Sequence, residues 1–303
     1  MHLNAKIFKV GVPAVLGVAL LYVAGCGISF NATKQGFVPP EVSAEATEKD
    51  RALIMATGVT YALEQELDSV YGWITNDLCF VPNLVDNRSA YQEGVIYATR
   101  PASDMVAKTV ARVGERDTID PRLADATSRY FTYGDNVWGF WFIYDCEGKY
   151  RAGIKGWQDW AAHVGEQGRT GAIYNVKSDD VYQILRYCQH MTDYALGILN
   201  DTDMGHFKTD NNIYFAKGVA AVTANVLRAI AAVDNSVAER GGAENLTEAL
   251  RRFDYIQEFN PLYTLAGGNV VGDAMVPNHV AALARHFDVA SNRIHDMLAS
   301  MEK

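Results

Sequence analysis

The sequence contains few residues of the kinds that build metal and redox sites. Four cysteines occur among 303 residues, and none of them forms a CxxC pair, which argues against a zinc ribbon or a thioredoxin-like centre. There is no HExxH motif, and His279 and His286 would lie about 10 Å apart along a helix, too far to share one zinc ion. The sequence therefore predicts neither a metal site nor a bound cofactor.

Motifs of the common enzyme classes are missing as well. The chain has no P-loop, no GxGxxG and no GxSxG, so neither a phosphate cradle nor the usual serine nucleophile is predicted. Cys188 and His190 are two residues apart and would point to different sides of a helix, so they do not form a nucleophile–base pair. These residues predict no reaction, and they favour a role other than catalysis.

Positive charge is also scarce. Lys and Arg number 27 against 36 Asp and Glu, which gives a net charge of −9. A domain with this charge repels phosphate backbones, so the sequence predicts no nucleic-acid partner. No run of Lys or Arg indicates a patch for lipid headgroups.

The N-terminal segment contains a long apolar run. Residues 10–30 are uncharged and follow Lys6 and Lys9. At about 1.5 Å per residue in a helix, this run just crosses a hydrocarbon core of about 30 Å. The lysines precede the run and acidic residues follow it, so the positive-inside rule places the N-terminus in the cytoplasm and the bulk of the chain in the periplasm. The segment therefore predicts a single-pass anchor in the inner membrane.

A lipoprotein signal is the alternative interpretation of the same segment. The residues Val23-Ala24-Gly25-Cys26 match a lipobox, in which the chain is cleaved before the cysteine and the cysteine is acylated. Both interpretations keep the chain at a membrane. The domain organisation predicted is an anchor or lipoprotein signal over residues 1–30, a linker over 31–40 and a soluble helical domain over 41–303.

The rest of the chain is globular, with 49% hydrophobic and 21% charged residues overall, and its apolar residues recur with a helical period. The prediction is a mainly α domain of about eight helices with a minor extended region near residues 138–144. Pro40 is expected to open the first helix, Pro101 to kink the second, and Asp179 to cap the fifth. The predicted helices cover residues 41–71, 89–113, 121–130, 147–167, 179–199, 212–239, 243–259 and 277–300.

Three cysteines remain if Cys26 lies in the membrane or is lipidated. Cys79, Cys146 and Cys188 allow at most one intrachain disulfide, and the sequence does not select the pair. All three are equally compatible with burial as reduced thiols, because cysteine packs as a small hydrophobe.

Aromatic residues are dense between residues 130 and 160. Trp138, Trp141, Trp157 and Trp160 all lie in or beside this stretch. Such residues suit a core, a partner interface or a sugar-binding face, and we take the four tryptophans as candidate interface residues.

Residues 72–87 predict an irregular loop that packs against the helices. Trp73 would fix this loop, and Asn76, Asp77 and Asp86 would satisfy its backbone groups. Two long cations, Arg151 and Lys217, lie in apolar or aromatic surroundings. They are expected to pair with those acids or to point into a cleft.

Five sets of residues form a recognisable combination: 72–78 (GWITNDL) with 86–87, 149–156 (KYRAGIKG), 173–174 with 178–180, 214–219 (YFAKGV) and 277–279. Taken together they resemble an uncharacterised bacterial envelope family, domain of unknown function 2333. The resemblance implies a single-pass anchored and mostly helical protein, and it implies no activity, cofactor or catalytic residue.

The function predicted is that of a membrane-anchored periplasmic scaffold or interaction protein, an accessory subunit of a larger envelope complex. Its partners would be the membrane and either another protein or a second copy. The alternative is an envelope glycan or peptidoglycan hydrolase or binding protein. That alternative requires a cleft in which Trp138 and Trp157 lie beside two acids about 5–10 Å apart.

Overall fold

The mainly α prediction is confirmed. The computed structural model describes residues 2–32, 36–43, 45–76, 85–113, 118–138, 145–168, 171–201, 208–261, 264–265 and 277–302. These residues contain a 3-10 turn (Ile74–Asn76), a two-residue antiparallel hairpin (β1, Arg112–Val113; β2, Thr118–Ile119), a π-helical turn (Ala126–Tyr130) and ten α-helices. The α-helices are α1 (His2–Ala32), α2 (Glu48–Leu67), α3 (Asp86–Val110), α4 (Pro121–Asp125), α5 (Cys146–Ala162), α6 (Ser178–Leu199), α7 (Thr209–Val233), α8 (Ser236–Gly241), α9 (Ala243–Glu258) and α10 (His279–Met301).

Helix α7 forms the centre of the core. It packs against α2, α3, α6 and α9, and its buried residues lie on every face, as expected of a helix that is apolar all round. In length and composition α7 qualifies as a membrane span, but 83% of its apolar window is buried inside the domain. It is therefore a core helix.

The closest helix crossing is between α3 and α7. A Cβ added to Gly94 would lie 2.1 Å from the carbonyl oxygen of Phe215, and a Cβ added to Gly218 would lie 2.2 Å from the carbonyl oxygen of Tyr91. Each helix thus has a glycine where the backbone of the other passes. These two glycines allow the two backbones to come into direct contact.

The first helix of the domain begins later than predicted. The expectation that Pro40 opens it was wrong, because α2 begins at Glu48 with Thr47 as its N-cap. The Thr47 side chain accepts from the Asp50 backbone N–H, and the Asp50 carboxylate accepts from the Thr47 backbone N–H, which forms a capping box.

The other predicted helix boundaries are confirmed in part. Helix α6 begins at Ser178, and the carboxylate that bonds the backbone N–H of Lys177 is that of Asp180 rather than Asp179. The predicted short helix after Asp120 is confirmed, with the Asp120 side chain accepting from the backbone N–H of Arg122. Pro101 lies inside α3. Most of the predicted extended region, residues 139–144, lies outside the described residues.

The C-terminal part of the predicted linker packs against the domain. Phe37 is buried, its backbone N–H donates to the Asn225 side-chain oxygen at 2.9 Å, and its ring lies 5.4 Å from that of Tyr61. The chain is therefore held between α2 and α7 from about residue 36 onward. This contact explains why α2 starts late, since residues 36–43 lie along the domain without forming a helix.

Candidate functional site

Helix α1 exposes aliphatic side chains along its described apolar stretch. Val10, Val12, Val15, Leu16, Val18, Leu20 and Leu21 are between 43% and 73% exposed. In a water-soluble helix such residues would be confined to one buried stripe. Here they occupy consecutive turns with no domain surface to cover them, so this part of α1 has an apolar surface on all sides.

The helix meets the domain at Tyr71, just after the end of α2. The ring of Tyr22 lies 4.9 Å from that of Tyr71 in an edge-on arrangement. A Cβ added to Gly25 would lie 1.9 Å from the Tyr71 hydroxyl, so the glycine makes room for this contact. The side chain of Cys26 lies outside the described part of the chain, and its lipidation stays a prediction.

A buried polar network holds the turn that follows α2. Gln92 of α3 donates from its amide nitrogen to Glu66 and to the Gly72 carbonyl, both at 2.9 Å. Its amide oxygen accepts from the backbone N–H of Ile74 at 2.9 Å. Because Gln92 is fully buried, these bonds satisfy groups that water cannot reach.

An ion pair completes this network. The guanidinium of Arg88 lies 3.5 Å from the Glu66 carboxylate, and both side chains are almost fully buried. Arg88 also donates to the Ser69 hydroxyl and, at 3.4 Å, to the Gly72 carbonyl. Nothing in the sequence spacing of these polar residues indicates that they lose contact with water.

Trp73 and Asn76, two of the candidate loop residues, both lie in the turn after α2. Trp73 is fully buried, and its indole N–H donates to the Asp135 carbonyl at 2.9 Å. Asn76 donates to the Val137 carbonyl at 3.4 Å, and Thr75 also donates to Asp135. These bonds join the turn after α2 to the loop before α5. Asp77 lies outside the described residues.

Asp86 lies at the start of α3, on a polar cleft of about 290 Å³. Burial raises the pKa of the Asp86 carboxyl, and the negative charge of Asp210 adds to the rise. Burial and then the charge of Asp135 raise the pKa of Glu93, against the hydrogen bond from Ser89. The cleft thus offers two carboxyl groups that hold protons more readily than usual. Its lining residues are Thr75, Asp86, Ser89, Ala90, Glu93, Asn211, Asn212 and Phe215.

The two predicted cations have other partners than the ones expected. Arg151 donates to the Asp68 carboxylate at 2.5 Å and to the Leu67 carbonyl at 2.6 Å, so it binds the end of α2. Lys217 is fully buried and donates to the carbonyl of Phe259 at 2.5 Å and to Asn260 at 2.8 Å. These bonds hold the end of α9 against α7.

The predicted aromatic interface is corrected for two of its four residues. Trp157 and Trp160 are fully buried, their rings lie 5.5 Å apart, and the Trp157 indole donates to Ser103 at 2.9 Å. They belong to the core because α5 turns this side toward α2 and α3. Trp138 is 44% exposed, and Trp141 lies outside the described residues.

Two cysteines are buried free thiols. Burial raises the pKa of Cys146 to about 12, and it raises the pKa of Cys188 as well. Neither is an activated nucleophile, since nucleophilic cysteines have lowered pKa values. Cys79 lies outside the described residues. Within the described ranges, no group of three or more His, Cys, Asp and Glu side chains could hold a metal ion.

Comparison with known proteins confirms the resemblance seen in the sequence. No curated protein and no solved structure matches the chain. A family model does match, over a part that begins inside α1 and ends before the central helix α7. That model is described as "uncharacterized protein conserved in bacteria (DUF2333)", it covers residues 6–202, and the chain therefore belongs to this bacterial family.

Proposed function

We propose that the protein is a scaffold or interaction subunit, held by α1 in the inner membrane with its helical domain in the periplasm. The observation that carries the proposal is the apolar surface of α1 on all sides. A surface of this kind is costly in water and favourable in a hydrocarbon core. A helix also satisfies its own backbone groups there, which a membrane span requires.

The contrast between α1 and α7 supports this assignment. Both are apolar, but α7 is covered by other helices of the domain, whereas Val10–Leu21 of α1 is exposed. Lys6 and Lys9 precede the exposed stretch, which favours a cytoplasmic N-terminus. The family match starts at residue 6, so most of α1 belongs to the part that the family shares.

An uncleaved anchor is favoured over a lipoprotein by the course of α1. The helix continues through the lipobox-like residues to Ala32. Tyr22 and Gly25, which cleavage before Cys26 would remove, both contact Tyr71 of the domain. A cleavage site for a signal peptidase needs an accessible segment, and these contacts occupy it.

A scaffold role is supported by the buried polar residues, because their bonds are structural. The buried Arg88, Glu66, Gln92 and Lys217 bind backbone groups and one another. The thiols of Cys146 and Cys188 are buried and have raised pKa values. Such arrangements stabilise a fold and position surfaces, and they do not provide an activated nucleophile or an assembled acid–base pair.

The test of the anchor is fractionation of membranes from cells that make the full chain. The wild type should stay in the membrane pellet after an alkaline carbonate wash. The double variant Leu16→Lys/Leu20→Lys should be released, because charges at the centre of a span oppose insertion. Leu53→Lys, which changes an exposed leucine of α2, is the matched control and should stay in the pellet.

The test of the scaffold role is affinity purification in a mild detergent. We expect the chain to elute with a second protein or as an oligomer, in an assembly that survives size-exclusion chromatography. Recovery of monomer alone, from cells with native expression levels, would count against this role even if the anchor is confirmed.

A glycan- or peptidoglycan-binding function is the second candidate, and the polar cleft at Asp86 and Glu93 is the observation that favours it. Of the two tryptophans expected beside its acids, Trp157 lies in the core and Trp138 is exposed. The double variant Asp86→Asn/Glu93→Gln should abolish binding to purified peptidoglycan sacculi under this alternative. Equal or absent binding by wild type and variant would exclude this cleft as the site.

A further inference from the structure

The turn between α2 and the packed loop is unusual in what it exposes. Val70 is 85% exposed, and it lies next to Tyr71, the residue that contacts α1. A single exposed valine needs no explanation by itself. The exposure of Val70 is informative because the residue lies beside the proposed membrane anchor.

The length of α1 decides how deep this turn must lie. The stretch Val10–Leu21, whose large apolar side chains are exposed, is about 18 Å long at 1.5 Å per residue. A hydrocarbon core of about 30 Å needs about 20 residues. A span that reaches 20 residues backward from Leu21 would bury both Lys6 and Lys9, which is unfavourable.

The span must therefore extend forward, past Tyr22 and Gly25. These are the residues that touch Tyr71. Because the contact holds Tyr71 beside Tyr22 and Gly25, about 18–23 Å along the helix from Val10, the turn lies in the outer leaflet, toward the headgroup–acyl boundary. Tyrosine is enriched at that boundary, where its ring meets the acyl chains and its hydroxyl meets water and headgroups.

The connection between anchor and domain keeps the domain there. Four Cα steps separate Ala32 from Gly36, and they reach at most about 15 Å whatever path they take. From Gly36 onward the chain is held by the buried Phe37 and its bond to Asn225. The domain thus cannot move far from the bilayer on a long tether.

We propose that Val70 and Tyr71 form a membrane-facing rim, which inserts into the headgroup–acyl boundary of the bilayer that holds α1. The rim rests on the proposed spanning anchor. Together with α1 it gives the domain two points of attachment, so that the domain has a fixed orientation on the membrane. The polar turn residues beside it have partners within the protein: Asp68 pairs with Arg151, and Ser69 accepts from Arg88.

The test is photocrosslinking of the full chain in vesicles of phosphatidylethanolamine and phosphatidylglycerol. The photoreactive residue p-benzoylphenylalanine, which inserts into nearby C–H bonds, replaces Leu16, Val70 or Ile173 in three separate proteins. Leu16 lies in the exposed part of α1. Ile173 is also exposed. It lies near the N-terminal end of α2, opposite the end that Tyr71 follows, because the charges of Arg51 and Glu48 act on the neighbouring Tyr174.

Lipid adducts are then measured by mass spectrometry. We expect strong adduct formation at residue 16, and several-fold more adduct at residue 70 than at residue 173. Adducts at 16 with equal, low yields at 70 and 173 would overturn the rim and leave the anchor intact. The absence of adducts at 16, or an intact mass showing a chain that starts at Cys26, would overturn the spanning anchor and the rim with it.

Discussion

Replacing Gly218 by alanine tests whether the core is built on backbone contact between α3 and α7. The added methyl group would lie 2.2 Å from the Tyr91 carbonyl oxygen and 2.8 Å from the Val95 nitrogen. Both are backbone atoms of a helix, so neither can move aside by a change of rotamer. Ordinary contact begins near 3.4 Å, so the two helices would have to separate by more than 1 Å along the main interface of the core.

The magnitude follows from two opposing effects. Overpacking that forces a backbone shift costs about 3 kcal/mol, and exchanging glycine for alanine inside a helix returns about 1 kcal/mol. We therefore expect the free energy of unfolding to fall by about 2 kcal/mol, which lowers the melting temperature by about 4 °C in a domain of this size. Gly94→Ala, across the same crossing, should behave in the same way.

The assay is thermal unfolding of the full chain in mild detergent, followed by far-ultraviolet circular dichroism. The matched control is Gly197→Ala in α6, where an added Cβ meets nothing within 4 Å, so the helix-propensity gain of about 0.5–1 kcal/mol should appear alone. If Gly218→Ala proved as stable as the wild type while Gly197→Ala was stabilised, the two helices would not cross in backbone contact.

Three further predictions concern ionisable side chains. Arg88→Met should destabilise the fold by about 3 kcal/mol or more, because the Glu66 carboxylate is then left buried without its cation; Arg88→Met/Glu66→Gln should recover part of this loss in urea unfolding. The raised pKa of Glu93 means that the folded state holds this proton more tightly than the unfolded chain. The contribution of Glu93 to the free energy of unfolding is therefore full below about pH 4 and is lost as the pH rises through the raised pKa. The melting temperature of the wild type should fall over this pH range, and that of Glu93→Gln should depend less on pH. Cys146 and Cys188, with pKa values raised by burial, should resist alkylation in the folded protein and react after unfolding, as peptide mass mapping would show.

The sequence predicts the helices well where local signals decide them. Asp120 before Pro121 combines an N-cap with a proline at the first helical position, and the short helix begins there. Asn278 likewise caps α10 just after Pro277. These signals act within one helical turn, so the start of each helix depends little on tertiary packing.

Other features depend on residues that are distant in the sequence. Pro40 was expected to open a helix, but Phe37 contacts Tyr61 and Asn225, and the segment that follows it is not helical. In the sequence, Arg88 and Glu66 have the pattern of ordinary surface charges, and only the fold brings them together in the interior. No local pattern distinguishes a buried charge of this kind from an exposed one.

The burial of Trp157, one of the tryptophans of α5, follows from a local pattern. Tyr150, Ile154, Trp157 and Ala161 follow one another at helical spacing and are all buried, which marks the core face of an amphipathic helix. That spacing would have assigned Trp157 to the core from the sequence alone. Trp138 precedes α5 and has no such pattern, and it is exposed.

The intact mass of the protein extracted from washed membranes distinguishes a spanning helix from a lipid anchor. We expect the chain to stay in the membrane fraction and to retain the residues up to and including α1, at a mass near 33.4 kDa with no lipid attached. Recovery in the soluble fraction would contradict the membrane location itself. A shorter chain that begins at an acylated Cys26 would contradict the spanning helix and establish a lipid anchor in its place.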